Sequence, residues 1–220
     1  MVESITASEP PATQQNQGEQ RVVFRGISWD TYEQLLLILP QSRGSRLTYD
    51  RGILEIAMPL EDHEFFRCLI EYFIRGLVEL MDLSIKTMGS TTMNYPQLQK
   101  GAEPDNAYYI QNQALVKGRN VDFSEDPPPD LVVEVDITHT DIAKNQFYAA
   151  LGVPEFWRFN GKVWRIYNLK SGAYVEVDRS PTFPDVPKEW LYDFLAMAKE
   201  DEIGAMRKLR ERWHDKFNSN

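Results

Sequence analysis

Residues 130–137 read DLVVEVDI, and their alternation places chemistry on one side of the chain. Asp130, Val132, Glu134 and Asp136 alternate with Leu131, Val133, Val135 and Ile137. Side chains two apart on a strand share a face, so three carboxylates project together while four aliphatic groups enter a core. Crowded carboxylates repel one another and resist ionisation. A hard cation or a neighbouring base offsets that cost, and Lys144 lies a short way downstream. Acids on a strand with a lysine alongside suit metal-assisted phosphodiester chemistry. The same pattern also describes an edge strand facing water, with Lys144 pairing Asp141 on its own helix.

The elements around this strand must hold those groups. Residues 140–151 read as a helix closed by Gly152, and 154–160 as the next strand. A strand, helix, strand unit of this length favours a parallel pair. Asn160-Gly161 is a hairpin signal that pairs 163–169 antiparallel with 154–160, and Lys170-Ser171-Gly172 turns the chain into AYVEV. Upstream, Phe66, Leu69, Ile70, Phe73, Ile74, Leu77, Val78 and Met81 keep a 3.6-residue period and predict a helix over 62–82. Asp62 is a candidate cap, and His63, Glu64, Arg67 and Glu71 occupy the first turns, away from most of the apolar stripe. Residues 29–39 predict a helix ended by Pro40, and RLTYD and ILEIA predict a hairpin about Asp50-Arg51-Gly52. Residues 84–92 and 105–111 are further strand candidates, and 188–217 are mostly helical and highly charged.

The totals bound the reading. A chain of 220 residues, 42% hydrophobic and 12% aromatic, can bury a core. Residues 1–20 carry almost no apolar pattern and read as a disordered tail, leaving 21–220 as one domain with its core at about 60–170. The single Cys68 excludes an internal disulfide and a cysteine-rich zinc site, and fits a reducing cytoplasm. His63, His139 and His214 match no zinc spacing. No secretory leader or membrane span is expected. The net charge of −9 argues against a broad nucleic-acid surface, since phosphate contacts need local Lys and Arg. Trp157, Trp164, Tyr167 and Tyr174 crowd the later hairpins, and that aromatic surface leads us to expect a homodimer.

GILEIAMPLEDHE (52–64), GSTT (89–92), GAEPDNAYYI (101–110), PDLVVEVDIT (129–138) and LGVPEFWRF (151–159) together resemble the PD-(D/E)XK nuclease superfamily. More closely, the chain resembles the Uma-two family of restriction-endonuclease-like proteins, over roughly 50–170. The resemblance implies an α/β restriction-endonuclease-like core: a mixed sheet flanked by helices, with an N-terminal helix and hairpin and a C-terminal helix. It implies Asp105 and Glu134 as ligands of Mg²⁺, or Mn²⁺, and DNA as substrate, with RNA still open. The superfamily usually has a lysine two residues after the second acid; Asp136 stands there, and the resemblance moves the lysine role to Lys144. Glu64 falls where many members carry an additional acid, and His63 completes the HE pair. Asp130 is expected to support the loop after three prolines, and Tyr148 to pack the core. The alternative is a non-catalytic relative that binds nucleic acid or a protein.

Overall fold

The computed structural model describes residues 18–40 and 42–218. The chain runs β1 (Glu19–Arg25), α1 (Trp29–Ile38), β2 (Arg46–Asp50), β3 (Ile53–Pro59), α2 (Glu61–Leu80), β4 (Lys86–Thr87), β5 (Met93–Tyr95), β6 (Lys100–Ala102) and β7 (Asn106–Tyr109). It continues through α3 (Gln113–Val116), β8 (Leu131–Val135), α4 (Lys144–Ala150), β9 (Glu155–Phe159), β10 (Trp164–Lys170), β11 (Ala173–Val177), α5 (Lys188–Ala198) and α6 (Glu202–Asn218).

The strands form two sheets rather than one. A five-stranded sheet has the order β1-β3-β2-β6-β5, and a six-stranded sheet the order β11-β10-β9-β8-β7-β4. The first is antiparallel throughout. In the second, only β8 and β9 are parallel, with Glu134 level with Arg158. β8 is therefore an interior strand, and all five of its residues are buried. The water-facing edge reading of this segment is overturned.

Burial on both faces explains how β8 is built. Leu131, Val133 and Val135 enter a large core with Leu69, Ile70, Phe73, Ile74 and Leu77 of α2 and with Trp157. Val132, on the opposite face, packs with Phe147, Tyr148 and Phe156. Glu134 shares that second face, so a carboxylate stands where packing would otherwise call for an aliphatic group. A smaller core under the first sheet joins Trp29, Tyr32, Leu47, Tyr49 and Leu54. The Tyr32 and Tyr49 rings stack there with centroids 4.9 Å apart.

Local boundaries depart from the sequence reading in four places. α2 is entered from Leu60 with no side-chain cap, and Asp62 lies inside its acidic first turn, where it faces the positive end of the helix dipole. α4 begins at Lys144, not residue 140. Thr140 and the Asp141 amide are drawn to Glu55 instead, which holds that stretch out of helix. Residues 84–92 are not one strand: β4 joins the second sheet and β5 the first, and Gly89, at φ +54°, lies between them. Of the stretch read as a tail, Glu19 and Gln20 begin β1, and residues 1–17 lie outside the described residues. The hairpin at Asp50 forms as expected, with Arg51 and Gly52 both at positive φ. That is the backbone a two-residue hairpin loop demands.

The aromatics behind the homodimer expectation divide into two pairs. Trp157 and Trp164 are buried within the chain, their rings edge-on at 4.5 Å. Tyr167 and Tyr174 are half-buried against the second core.

Candidate active site

The polar centre lies where the two sheets meet. Asp105 immediately precedes β7, whose register pairs Asn106 with Val133. One step further along an antiparallel pair sets Asp105 opposite Glu134, and residues so opposed share a face. Asp105 Oδ2 accepts the amide of Val135 at 2.7 Å. Its Oδ1 accepts from Arg46 Nη1, and His63 Nε2 lies 3.1 Å from Oδ2. Asp105 and Glu134 are each 3% exposed.

Glu134 is held from the following helix. Lys144 Nζ donates to Glu134 Oε2 at 2.7 Å, and the Tyr148 hydroxyl donates to Oε1. The two donors are four residues apart, one turn of helix, so both reach the same carboxylate. Lys144 also lies 3.0 Å from Asp136 Oδ1, while Asp141 pairs with Arg25 at the surface. The expected Lys144–Asp141 alternative is thereby removed, and Tyr148 is more than a packing residue.

Asp136 binds the two sheets together. Its Oδ1 accepts from Arg21 Nη2 at 2.9 Å and its Oδ2 from Arg158 Nε at 2.9 Å. Arg21 also reaches Glu19 at 2.9 Å and Glu55 at 2.5 Å. Glu64 pairs with Arg46 at 2.8 Å and Arg67 at 2.8 Å, and remains the most open acid of the group. Asp130 belongs elsewhere. It accepts the Ile110 amide at 2.7 Å, the Asn112 amide at 2.9 Å and Asn112 Nδ2 at 2.6 Å. The three acids of the original strand pattern are thus two plus one.

Electrostatics distinguish the members. Burial pushes the Asp105 carboxyl up, but the His63 hydrogen bond and the charges of His63, Arg46 and Lys144 overcome it and hold Asp105 below the usual range. Burial, with Asp105 and Asp136 nearby, pushes Glu134 up to about 7 even though Lys144 opposes the rise. Burial alone would lower Lys144, yet Asp136 and Glu134 hold it above its ordinary value, so it stays an ammonium. His63 is buried, not a surface or capping residue. Burial lowers it, and hydrogen bonding to Asp105 with Glu64 and Glu19 close by raises it to about 9. Its Nδ1 is 3.4 Å from Glu64 Oε1 without hydrogen-bond alignment.

The donor set fits a hard divalent ion held by two carboxylates. An ionised carboxylate offers about four lone-pair sites. Asp105 Oδ1 and both Glu134 oxygens each accept one hydrogen bond, leaving acceptor capacity on all three. Among the described residues no set of three or more His, Cys, Asp or Glu is arranged to hold a metal. Waters and a substrate oxygen would have to supply the rest of such a shell, as Mg²⁺ commonly permits.

A cleft of about 700 Å³ opens beside these acids. Arg43, Arg46, Glu64, Thr92 and Glu103 are among its walls, with the Gly44-Ser45 turn and the Ser90-Thr91 segment. Arg46 stands between cleft and buried acids, since it lines the one and bonds Asp105 of the other. Asp105, Glu134, Lys144 and Glu64, the candidates named from the sequence, lie in one network of hydrogen bonds and ion pairs. The network also takes in Arg46, Arg21, Glu19, Glu55 and Arg158, which the sequence reading does not name. No local signal marks them: Arg21 and Asp136 are 115 positions apart. Of the segments that carry the family resemblance, 52–64, 89–92 and 101–110 each contribute residues to the cleft wall.

An α/β restriction-endonuclease-like fold with buried acids at a β7–β8 junction defines the class. The Uma2 family model, described as "Putative restriction endonuclease", matches residues 29–190, and the chain belongs to that family. A crystal structure titled as that of a "putative nuclease belonging to DUF820" from Anabaena variabilis is similar in fold, with a TM-score of 0.52 and 15% identity. The match covers 77% of this chain and 99% of that one. No curated protein matches. Among the described residues no helix is long and apolar enough to cross a membrane.

Proposed function

We propose that the protein is a Mg²⁺-dependent nuclease that hydrolyses DNA phosphodiester bonds, with Asp105 and Glu134 as the metal ligands. The observation that carries this is Glu134: a fully buried carboxylate beside two other acids, held up to about 7 and with unused lone pairs. A bound divalent ion supplies Lewis-acid polarisation and a more acidic water. Tyr148 and Lys144 fix the orientation of the Glu134 carboxylate. Lys144, protonated throughout the neutral range, offers positive charge to the developing oxyanion rather than acting as a base. His63, in its cationic form, balances the Asp105 charge. Glu64 holds Arg46 from the open side.

The second reading is a binder that does not cut. It is favoured by the fact that every acid of the site already has a cationic or hydrogen-bonding partner inside the chain. Incubating purified protein with labelled DNA and RNA in Mg²⁺ or Mn²⁺ separates the two. Cleavage is expected, is stopped by chelation, and falls about a thousandfold or more in Glu134→Gln. Metal-independent binding without cleavage of either polymer would establish the binder.

A further inference from the structure

We infer that Arg46 is a substrate-binding residue, occupying Asp105 as a counter-ion when no metal is bound and taking a backbone phosphate of the nucleic acid when one is. This deepens the nuclease reading above and rests on it.

Three observations support the assignment. Arg46 lies on the wall between the cleft and the buried acids, its side chain 15% exposed, so the same guanidinium reaches either side. Its two partners differ: Nη1 is on buried Asp105, a proposed metal ligand, whereas Nη2 is on Glu64 at the rim. A divalent ion at Asp105 repels a guanidinium on the same carboxylate, so metal and Arg46 compete for it. Released from Asp105, Arg46 keeps its planar fork, a shape that matches two phosphate oxygens. Arg43 prepares the same cleft. Its side chain is 10% exposed and bonded to Glu103 and the Pro40 carbonyl, yet its buried Nε has no partner. A buried donor left unmade costs about 1–3 kcal/mol, so a shift of the Arg43 side chain toward an anion in the cleft it lines would satisfy a donor that has no partner now. The cleft walls set Arg43 and Arg46 against Glu64 and Glu103, so it is the release of Arg46 from Asp105 that gives a polyanion a positive charge to meet there.

The two roles predict opposite effects from one substitution. Mn²⁺ affinity is measured by calorimetry, and binding of a short fluorescein-labelled DNA by anisotropy in Ca²⁺, which takes the same oxygen ligands. Arg46→Gln is expected to bind Mn²⁺ about tenfold more tightly, because a competing charge beside the carboxylate is gone. The same variant is expected to bind DNA about tenfold more weakly. Arg46→Lys keeps the charge and loses the fork, so it should hold Mn²⁺ like wild type while still losing DNA affinity. Circular dichroism checks that each variant is folded. If Arg46→Gln, folded, leaves Mn²⁺ affinity unchanged or weaker, the counter-ion role is overturned. If Mn²⁺ binds more tightly but DNA binding stays intact, the phosphate role is overturned. Asp105→Asn separates these failures from failure of the underlying reading: if it leaves Mn²⁺ affinity of wild-type strength, the metal is not at Asp105, and the whole assignment falls.

Discussion

Glu134 and Glu155 are buried glutamates on adjacent parallel strands, and they are held in different ways. Glu155 accepts Trp157 Nε1 at 2.5 Å, the Thr182 amide at 3.0 Å and Thr182 Oγ1 at 2.7 Å. All three donors are neutral. Burial raises its pKa, and those hydrogen bonds, with Ser180, oppose the rise. Glu134 has an ammonium and a phenol on it, and two further acids close enough to push it up. The first arrangement ties β9 to the segment at Thr182, and nothing in it calls for an ion. The second concentrates charge at the meeting of two sheets, which costs stability unless cations are kept there. A buried acid is therefore a poor signal of function by itself. The signal is a buried acid that shares its space with other acids.

The strongest way to break this comparison is to remove the structural acid. Glu155→Ala leaves three buried donors unpaired, at about 1–3 kcal/mol each when isolated. We expect a loss of about 3–5 kcal/mol by urea denaturation, with cleavage per folded molecule near wild type at low temperature. Glu134→Gln should unfold much closer to wild-type denaturant, since the amide keeps the shape and still accepts from Lys144 or Tyr148. If the two losses are alike, Glu134 is as structural as Glu155 and the contrast fails.

Lys144 sharpens the same contrast. Lys144→Met removes the ammonium from between Glu134 and Asp136 while filling similar space. Turnover should fall about a hundredfold, with Mn²⁺ affinity equal to or tighter than wild type. A parallel loss of Mn²⁺ binding would instead mean that Lys144 only holds the carboxylates in place.

What could be read in advance follows from how far apart the partners lie. The apolar period of α2, the alternation in β8 and the turn residues at Asp50 and Asn160 are local, and they were legible. Lys144 was legible too, being ten positions from Glu134. The five-stranded sheet as a whole was not, because β1 carries no clean alternation and closes on β3 only after a long interval, from Glu19 against Pro59 to Arg25 against Ile53. With β1 unread, Glu19 and Arg21 were invisible, and so was the reason Asp136 can replace a lysine. It serves as the anion that Arg21, Lys144 and Arg158 share. Likewise His63 read as a helix-surface residue, since its burial depends on Asp105 arriving from 42 positions away.

The smallest expected effect concerns pH, and it tests whether the charge cluster behaves as one. His63 in the folded protein titrates at about 9, above its ordinary 6.5. The folded state thus holds that proton more tightly, so the stabilisation is complete below pH 6.5 and fades as pH rises through 9. The loss is on the order of 2 kcal/mol, allowing for sharing of the interaction with Asp105. Glu134, held up to about 7 against an ordinary 4.5, gives a separate fading over that lower window. Urea midpoints measured from pH 5 to 10 should fall in two stages, with the upper stage absent in His63→Asn and the lower reduced in Glu134→Gln, Glu155 supplying the rest because burial raises it as well. Glu155→Gln provides the contrast: its donors are neutral, so removing its charge should leave the upper stage in place. A single fall that neither His63→Asn nor Glu134→Gln alters would show that these groups do not carry the linkage, and that the two buried glutamates differ less than their partners suggest.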